Sequence, residues 1–153
     1  MRNREKIFTE FEIEYLNDYL DKAGFFFKDR HYNVLNTYWN TLDKFKEKTL
    51  YISKLEKKFN LNFMDIYALE YRQGSETLSH KDNSIISIIT CLKKENLVGG
   101  DTLIWKSKEA WVQGKPPAAI DHNQGESIWY KKDMHGVSLV TQGIRRVLVV
   151  WLK

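Results

Sequence analysis

The strongest constraint on the fold is a change of hydrophobic pattern after Asn62. From there on, short runs rich in β-branched and aromatic residues follow one another at 64–71, 84–92, 102–105, 127–130 and 146–152. Turns that contain glycine separate these runs, at Gly74, Gly99, Gly114, Gly125 and Gly143. Short strands spaced in this way, without helical stretches between them, are typical of a β-sandwich or barrel. We therefore predict an all-β core for residues 63–153.

The first 62 residues have helical periodicity instead. Thr9 and Glu12 have the spacing of a capping box, in which each side chain bonds the backbone N–H of the other. Apolar residues then recur at helical spacing until Gly24, where a helix would end. A second helical pattern runs from about 32 to 59. We expect a single α+β domain over 1–153, whose helical part at 1–62 packs outside the β core.

Composition and charge exclude few functions. The 24 basic and 20 acidic residues leave a net charge of +4, and acidic residues are interspersed with the basic ones between 44 and 58. This pattern is typical of a solvated helix face and gives little support to nucleic-acid binding. The single cysteine, Cys91, lies in an apolar run and is expected to be a buried thiol. Since neither a secretory signal nor a membrane-spanning apolar run is evident, the sequence predicts a cytoplasmic protein.

Two histidines and one aspartate have the composition of a metal site. His80 and Asp82 are two residues apart, so on a strand both side chains would point to the same face. Such a pair carries little weight alone, because a chain with four His and 20 acidic residues contains about half a pair by chance. His135 would complete a triad of two imidazoles and one carboxylate, the facial arrangement that suits non-haem iron. Surface side chains without a common function are the alternative interpretation.

An arginine opens the last aliphatic run of the chain. Arg145 follows His135 by ten residues, and if it faces inward it must be paired, since a lone buried charge is costly. A planar guanidinium can bind a carboxylate through two hydrogen bonds, which suits a dicarboxylate ligand. Arg146 would point to the opposite face and is expected to be a solvated surface charge. His31 and His122 are expected to lie in exposed loops.

In order and spacing, these motifs resemble the 2-oxoglutarate/iron(II) oxygenase superfamily, and most closely its prolyl 4-hydroxylase-like branch. The resemblance covers about 66–152 and is carried by His80-x-Asp82, by 99–105, by 125–129, by His135-Gly-Val and by Arg145. It implies a double-stranded β-helix (jelly roll) as the fold of 63–153. It also implies that His80, Asp82 and His135 bind iron(II).

The resemblance further implies a reaction and a cosubstrate site. Arg145 would pair with the distal carboxylate of 2-oxoglutarate, while O2 is the second cosubstrate and succinate and CO2 are products. Ascorbate is a candidate additional reductant. Tyr71 and Thr141 are placed where they could reach 2-oxoglutarate, although packing in a strand and in a turn explains them at least as well.

The substrate and part of the function stay open at this point. Leu78 stands two residues before the His-x-Asp pair, where many prolyl hydroxylases carry Tyr. The substrate can therefore be a protein or peptide side chain, or a free amino acid or other small metabolite. A cupin-like jelly roll that binds a metal without 2-oxoglutarate is another alternative, which an inward Arg145 disfavours. Nucleic-acid demethylation is disfavoured because Trp151 stands where those enzymes carry a second arginine.

Overall fold

A computed structural model describes residues 3–153. Its helices are α1 (Glu10–Ala23), α2 (Lys48–Phe59) and α3 (Lys108–Val112). Its strands are β1 (Asn3–Glu5), β2 (Phe26–His31), β3 (Val34–Asn40), β4 (Phe63–Tyr71), β5 (Glu76–His80), β6 (Ile86–Val98), β7 (Thr102–Ile104), β8 (Ala118–Ile120), β9 (Ser127–Tyr130), β10 (His135–Val137) and β11 (Gln142–Leu152).

The strands form one curled antiparallel sheet, which confirms the predicted jelly-roll core. Along the sheet the order is β1-β9-β6-β11-β4-β3-β5-β10-β7-β8, and β2 pairs with β3. Neighbours in space are mostly distant in sequence, as β11 shows by pairing with both β4 and β6. This topology places β5 directly beside β10, so that residues far apart in the chain meet at one end of the barrel.

The apolar strand β11 is buried on both of its faces. Leu148 and Val150 pack against α1 and α2, whereas Val147 and Val149 face the interior of the curled sheet. Successive side chains of a strand point to opposite faces, so Arg145 shares the interior face and Arg146 the helix face. The N-terminal helices therefore lie outside the barrel, as predicted.

The beginning and end of α1 agree with the sequence. The Thr9 hydroxyl accepts a hydrogen bond from the Glu12 backbone N–H at 3.1 Å, and the Glu12 carboxylate accepts from the Thr9 N–H at 2.7 Å. The helix ends at Gly24, whose φ of 76° is a conformation that glycine adopts without strain. Both features confirm the predicted capping box and stop.

The helix predicted from about 32 to 59 is wrong in its first half. That segment holds β3, paired with β2 through a hairpin at Tyr32, and only Lys48–Phe59 is helical. Val34, Tyr38 and Trp39 do recur at helical spacing, but they are β-branched or aromatic residues that pack well in a sheet. Pairing of β3 with β4 and β5 outweighs the weak helical preference.

Smaller differences concern the C-terminal part. The helix α3 is absent from the sequence prediction, and Trp105 lies just after β7, not on it. Cys91 is buried, as expected. Within the part of the chain that the structure describes, no helix combines the length and the apolar character needed to cross a membrane.

Candidate metal and cosubstrate site

The three candidate metal ligands come together at the junction of β5 and β10. His80 is the last residue of β5 and lies directly opposite His135, the first residue of β10. Asp82 follows two residues after β5, so it belongs to the turn and not to the strand that the sequence predicted. The Nε2 atom of His80 lies 3.1 Å from Asp82 Oδ1, and that of His135 lies 3.4 Å from Asp82 Oδ2. One donor atom of each residue lies within 4.8 Å of the other two.

Hydrogen bonds from the Nδ1 atoms to backbone carbonyls fix the ring orientation of both histidines. His80 Nδ1–H donates to the Leu78 carbonyl and His135 Nδ1–H donates to the Asp133 carbonyl, each at 2.8 Å. A histidine whose Nδ1 carries the proton presents the Nε2 lone pair on its other side, which is the form that binds metals. Both Nε2 atoms face the Asp82 carboxylate, to which each donates when it carries a proton and beside which each can bind a metal once that proton has left.

Asp82 is held as an anion. Burial alone would raise the pKa of this carboxyl, but hydrogen bonds from His135, His80 and Ser87 outweigh it and hold the pKa well below its usual range. Ser87 Oγ donates to Asp82 Oδ2 at 2.6 Å. Burial likewise would lower the pKa of His80, yet its bonds to Asp82 and to the Leu78 carbonyl raise it overall. Two imidazoles and one carboxylate, converging and oriented, are a donor set that fits a divalent transition metal.

A glycine is required beside His135. A Cβ atom at Gly136 would lie 2.7 Å from the Thr77 carbonyl oxygen of β5, closer than such atoms approach in proteins. Any larger residue would push β10 away from β5 and separate His135 from His80. Close packing of β10 against β5 therefore explains why glycine follows His135.

Arg145 is buried on the same side of the sheet, and none of its hydrogen-bond partners is an acid. Its guanidinium donates to the Gly100 carbonyl at 3.0 Å and to Thr102 Oγ1 at 2.8 Å, and lies 3.3 Å from His122 Nδ1. Only 2% of the residue is exposed, and among residues 3–153 no carboxylate lies within ion-pair distance of it. A buried cation with neutral partners retains its attraction for an anion.

Tyr71 lies opposite Arg145 in the pairing of β4 with β11. The centre of its ring is 5.7 Å from the guanidinium carbon, and its hydroxyl is 2.8 Å from Thr77 Oγ1. Burial raises the pKa of this phenol, so the hydroxyl stays protonated. Thr141, in contrast, is exposed, and its hydroxyl donates to the Val98 carbonyl at 3.4 Å. Its position gives no support to a role in the cosubstrate site.

A small cavity of about 50 Å³ joins these groups. Its lining includes the three candidate ligands together with Tyr71, Thr77, Thr102, Tyr130 and Arg145. A second cavity, which we term the groove, has a volume of about 760 Å³ and also reaches His80 and Asp82. Its lining includes Lys28, His31, Trp39, Asp65, Lys81 and Trp151. The candidate metal ligands thus lie between a small pocket that contains Arg145 and a wider groove.

Two tryptophans that line the groove carry hydrogen-bond donors without partners among the described residues. The indole N–H groups of Trp39 and Trp151 are buried, and no acceptor among the described residues bonds them. Lys28 lies with its ammonium 4.9 Å from the centre of the Trp39 ring. His31 ends β2 half-buried, with its ring centre 4.9 Å from that of Trp39, and is not the exposed loop residue that the sequence predicted.

Two other expectations about charged residues are wrong. Arg146 is 5% exposed, and it is paired with Glu70 and Asp21 at 2.9 Å each. The sequence showed two adjacent arginines but not that α1 covers one face of β11. His122 is 3% exposed, because the loop between β8 and β9 packs it against Arg145. No local signal distinguishes it from a histidine in an exposed turn.

Comparison with solved structures places the chain in the fold of 2-oxoglutarate/iron(II) oxygenases. A 2OG-Fe(II) oxygenase family oxidoreductase from Burkholderia pseudomallei is 14% identical, with a TM-score of 0.75 over 96% of this chain and 81% of that chain. A prolyl-4-hydroxylase from Pseudomonas putida is 12% identical, with a TM-score of 0.69 over 100% and 93%.

HygX from Streptomyces hygroscopicus, solved with nickel, 2-oxoglutarate and hygromycin B bound, is 11% identical, with a TM-score of 0.68 over 97% and 82%. No family model matches the sequence, and no curated protein matches it. The shared property is therefore the fold, at identities too low to transfer an activity.

Proposed function

We propose that this protein is an iron(II)- and 2-oxoglutarate-dependent dioxygenase that hydroxylates its substrate and releases succinate and CO2. The observation that carries the proposal is the convergence of His80, Asp82 and His135 on one point of a cavity that also contains Arg145. A cupin-like metal protein would need the triad only. A buried arginine that has no acidic partner among residues 3–153 gives a reason for a dicarboxylate as well.

The metal would be held by His80 Nε2, His135 Nε2 and the Asp82 carboxylate. The net charge of this set is −1, and its orientation is fixed by the Leu78 and Asp133 carbonyls and by Ser87. Partners of this kind around a site raise metal affinity because they hold the ligands in the binding orientation. Bound iron(II) would supply the O2 chemistry of the reaction, and Asp82 would stay ionised throughout.

The cosubstrate would place its distal carboxylate on Arg145 in the small cavity and extend from there towards the candidate metal ligands, which also border the groove. Charge-assisted bonds from a guanidinium to a carboxylate are stronger than neutral ones, and a dry pocket strengthens them further. Tyr71, whose ring lies beside the guanidinium, would form one wall. Thr141 is not part of this proposal. Ascorbate as a reductant and a cytoplasmic location stay predictions.

The substrate would approach through the groove and reach the metal past His80 and Asp82. A groove of about 760 Å³ has room for more than a free amino acid, which favours a peptide or protein side chain. The similarity in fold to a prolyl-4-hydroxylase points the same way. HygX, with hygromycin B bound, shows that a small molecule can also be bound in this fold, so a small metabolite is the alternative.

Succinate release from 2-oxoglutarate tests the activity directly. We expect succinate formation that needs iron(II) and O2, and that His80→Ala and His135→Ala each abolish. Asp18→Asn, an exposed change on α1, is the control and should leave turnover unchanged. Proline-containing peptides and free amino acids would then be compared for stimulation of turnover. Succinate formation that survives both histidine substitutions would refute the metal assignment.

A further inference from the structure

His122 contacts Arg145 from outside the small cavity. It lies in the loop between β8 and β9, is 3% exposed, and places Nδ1 3.3 Å from Arg145 Nη2. It does not line the small cavity. Its other ring nitrogen, Nε2, is buried and has no hydrogen-bond partner among the described residues.

The contact fixes the protonation of the ring. A guanidinium nitrogen can only donate a hydrogen bond, so His122 Nδ1 must accept it. The ring is therefore neutral, with its proton on Nε2. A second proton would bring two cations together in a buried place, which is strongly unfavourable.

The charges around His122 favour the same state. Arg145, Arg4 and Lys94 surround the ring with positive charge, and Glu126 is the acid that opposes them. Burial, together with these cations, lowers the pKa of His122 to about 3. The loop itself is fixed, because Arg4 donates to the Asp121 carbonyl at 3.1 Å and Lys94 to the His122 carbonyl at 3.0 Å.

The charge of the residue at position 122 determines how strongly Arg145 can attract an anionic ligand. An acid at position 122 would neutralise the guanidinium, as Glu70 does for Arg146 on the other face of β11. A neutral acceptor satisfies one N–H and leaves the charge uncompensated. Gly100 and Thr102 bind the same guanidinium through neutral oxygen atoms. All three partners therefore hold Arg145 in place without reducing its attraction for an anion.

We propose that His122 is a positioning residue for the cosubstrate, whose neutral imidazole orients Arg145 and keeps its positive charge available to the distal carboxylate of 2-oxoglutarate. This inference rests on the proposed function. It goes beyond it by assigning a role to a loop residue that touches neither the metal ligands nor the cavity.

Three substitutions of similar shape separate charge from packing at this position. In Asn, the side-chain oxygen stands near the place of His122 Nδ1 and is a neutral acceptor. In Asp the same position carries a negative charge, and in Leu it carries no acceptor. We would load each variant with Mn(II), which avoids oxidation, and measure 2-oxoglutarate affinity by calorimetry. Asp121→Asn, which changes the same loop without touching Arg145, is the control.

We expect His122→Asn to bind 2-oxoglutarate within about threefold of the unchanged protein and His122→Asp at least tenfold more weakly, because an acid would compete for the guanidinium. His122→Leu should fall between them. Mn(II) affinity without 2-oxoglutarate should be the same in all variants. Equal 2-oxoglutarate affinity of the Asp and Asn variants would overturn the inference, whereas failure of the unchanged protein to bind 2-oxoglutarate would overturn the proposed function as well.

A measurement on the unchanged protein covers the case in which the Asp variant does not fold. Nitrogen-15 NMR of the imidazole rings reports their tautomer and charge. We expect one histidine with its proton on Nε2 that stays neutral at pH 5, and we expect His122→Asn to remove that signal. A His122 ring that is protonated near neutral pH would refute the positioning role.

Discussion

Arg145 and Arg146 are neighbours on β11, both almost fully buried, and we expect methionine at each position to have a different effect. Arg146 is bonded to Glu70 and Asp21, and Glu70 is itself 4% exposed. After Arg146→Met, the partly exposed Arg72 is the one cation among the described residues that still pairs with Glu70. Removing one partner of a buried ion pair lowers the free energy of unfolding by about 3–5 kcal/mol. Because Arg72 still pairs with Glu70, we expect a loss near the lower limit, about 3 kcal/mol.

Arg145→Met removes a buried charge whose partners are all neutral. The lost charge-assisted hydrogen bonds contribute about 1.5–3 kcal/mol each, but the desolvation penalty of the lone ion, several kcal/mol, disappears with them. We therefore expect Arg145→Met to lower the free energy of unfolding by less than Arg146→Met does. The same variant should lose 2-oxoglutarate binding, whereas folded Arg146→Met should keep it.

Urea unfolding of the metal-free proteins, followed by tryptophan fluorescence, measures both free energies. A loss of about 3 kcal/mol for Arg145→Met, as large as for Arg146→Met, would mean that Arg145 serves the fold. It would contradict the view that its charge is kept for a ligand.

Three further predictions concern single side chains. Asp82→Asn removes the only negative charge of the triad, so metal affinity, measured by calorimetry, should fall by at least about 100-fold, while Asp18→Asn should have no effect. For His122, the folded pKa of about 3 lies below the unfolded value near 6.5, so protonation of the unfolded state destabilises the protein as pH falls below about 6.5. Relative to His122→Asn, the unfolding free energy should drop by about 2 kcal/mol between pH 7.5 and 5. Trp39→Phe keeps an aromatic ring beside the groove but removes an indole N–H that no described residue bonds, so the substrate KM should rise about fivefold, with substrate-independent succinate release unchanged.

Each of these predictions has a contrary outcome. Metal affinity of Asp82→Asn equal to that of the control would remove the carboxylate from the site. An unfolding free energy whose pH dependence is the same with and without His122 would show that the ring is not held neutral. For the groove, Trp105→Phe is the matched control, because Trp105 Nε1 already donates to the Lys115 carbonyl. If both tryptophan variants raise KM equally, Trp39 has no specific contact with the substrate.

The sequence predicted the features that depend on local chemistry. A few neighbouring residues are enough to predict the capping box at Thr9 and the end of α1 at Gly24. The same holds for the opposite directions of the Arg145 and Arg146 side chains on β11. The candidate ligands and Arg145, which were chosen by their spacing, line one cavity, because the jelly roll brings β5, β10 and β11 together; their roles stay predictions.

The remaining features depend on contacts between distant parts of the chain. The stripe that begins at Val34 suits a helix as well as a strand, and pairing with β4 and β5 decides between them. Arg146 is buried only because α1 covers it, through Asn17 and Asp21. His122 is buried only because its loop returns to β6 and β11. None of these contacts can be predicted from the residues that neighbour Val34, Arg146 or His122 in the sequence.

An anaerobic titration tests the central claim most directly. Iron(II) and 2-oxoglutarate would be added to the protein without O2, and the visible spectrum recorded for the weak charge-transfer band of the chelated cosubstrate. We predict a band that His80→Ala and His135→Ala abolish, and that Arg145→Met shifts to much higher 2-oxoglutarate concentrations. A band that persists in the histidine variants, or no band at any concentration in the unchanged protein, would contradict the assignment of this cavity as an iron and 2-oxoglutarate site.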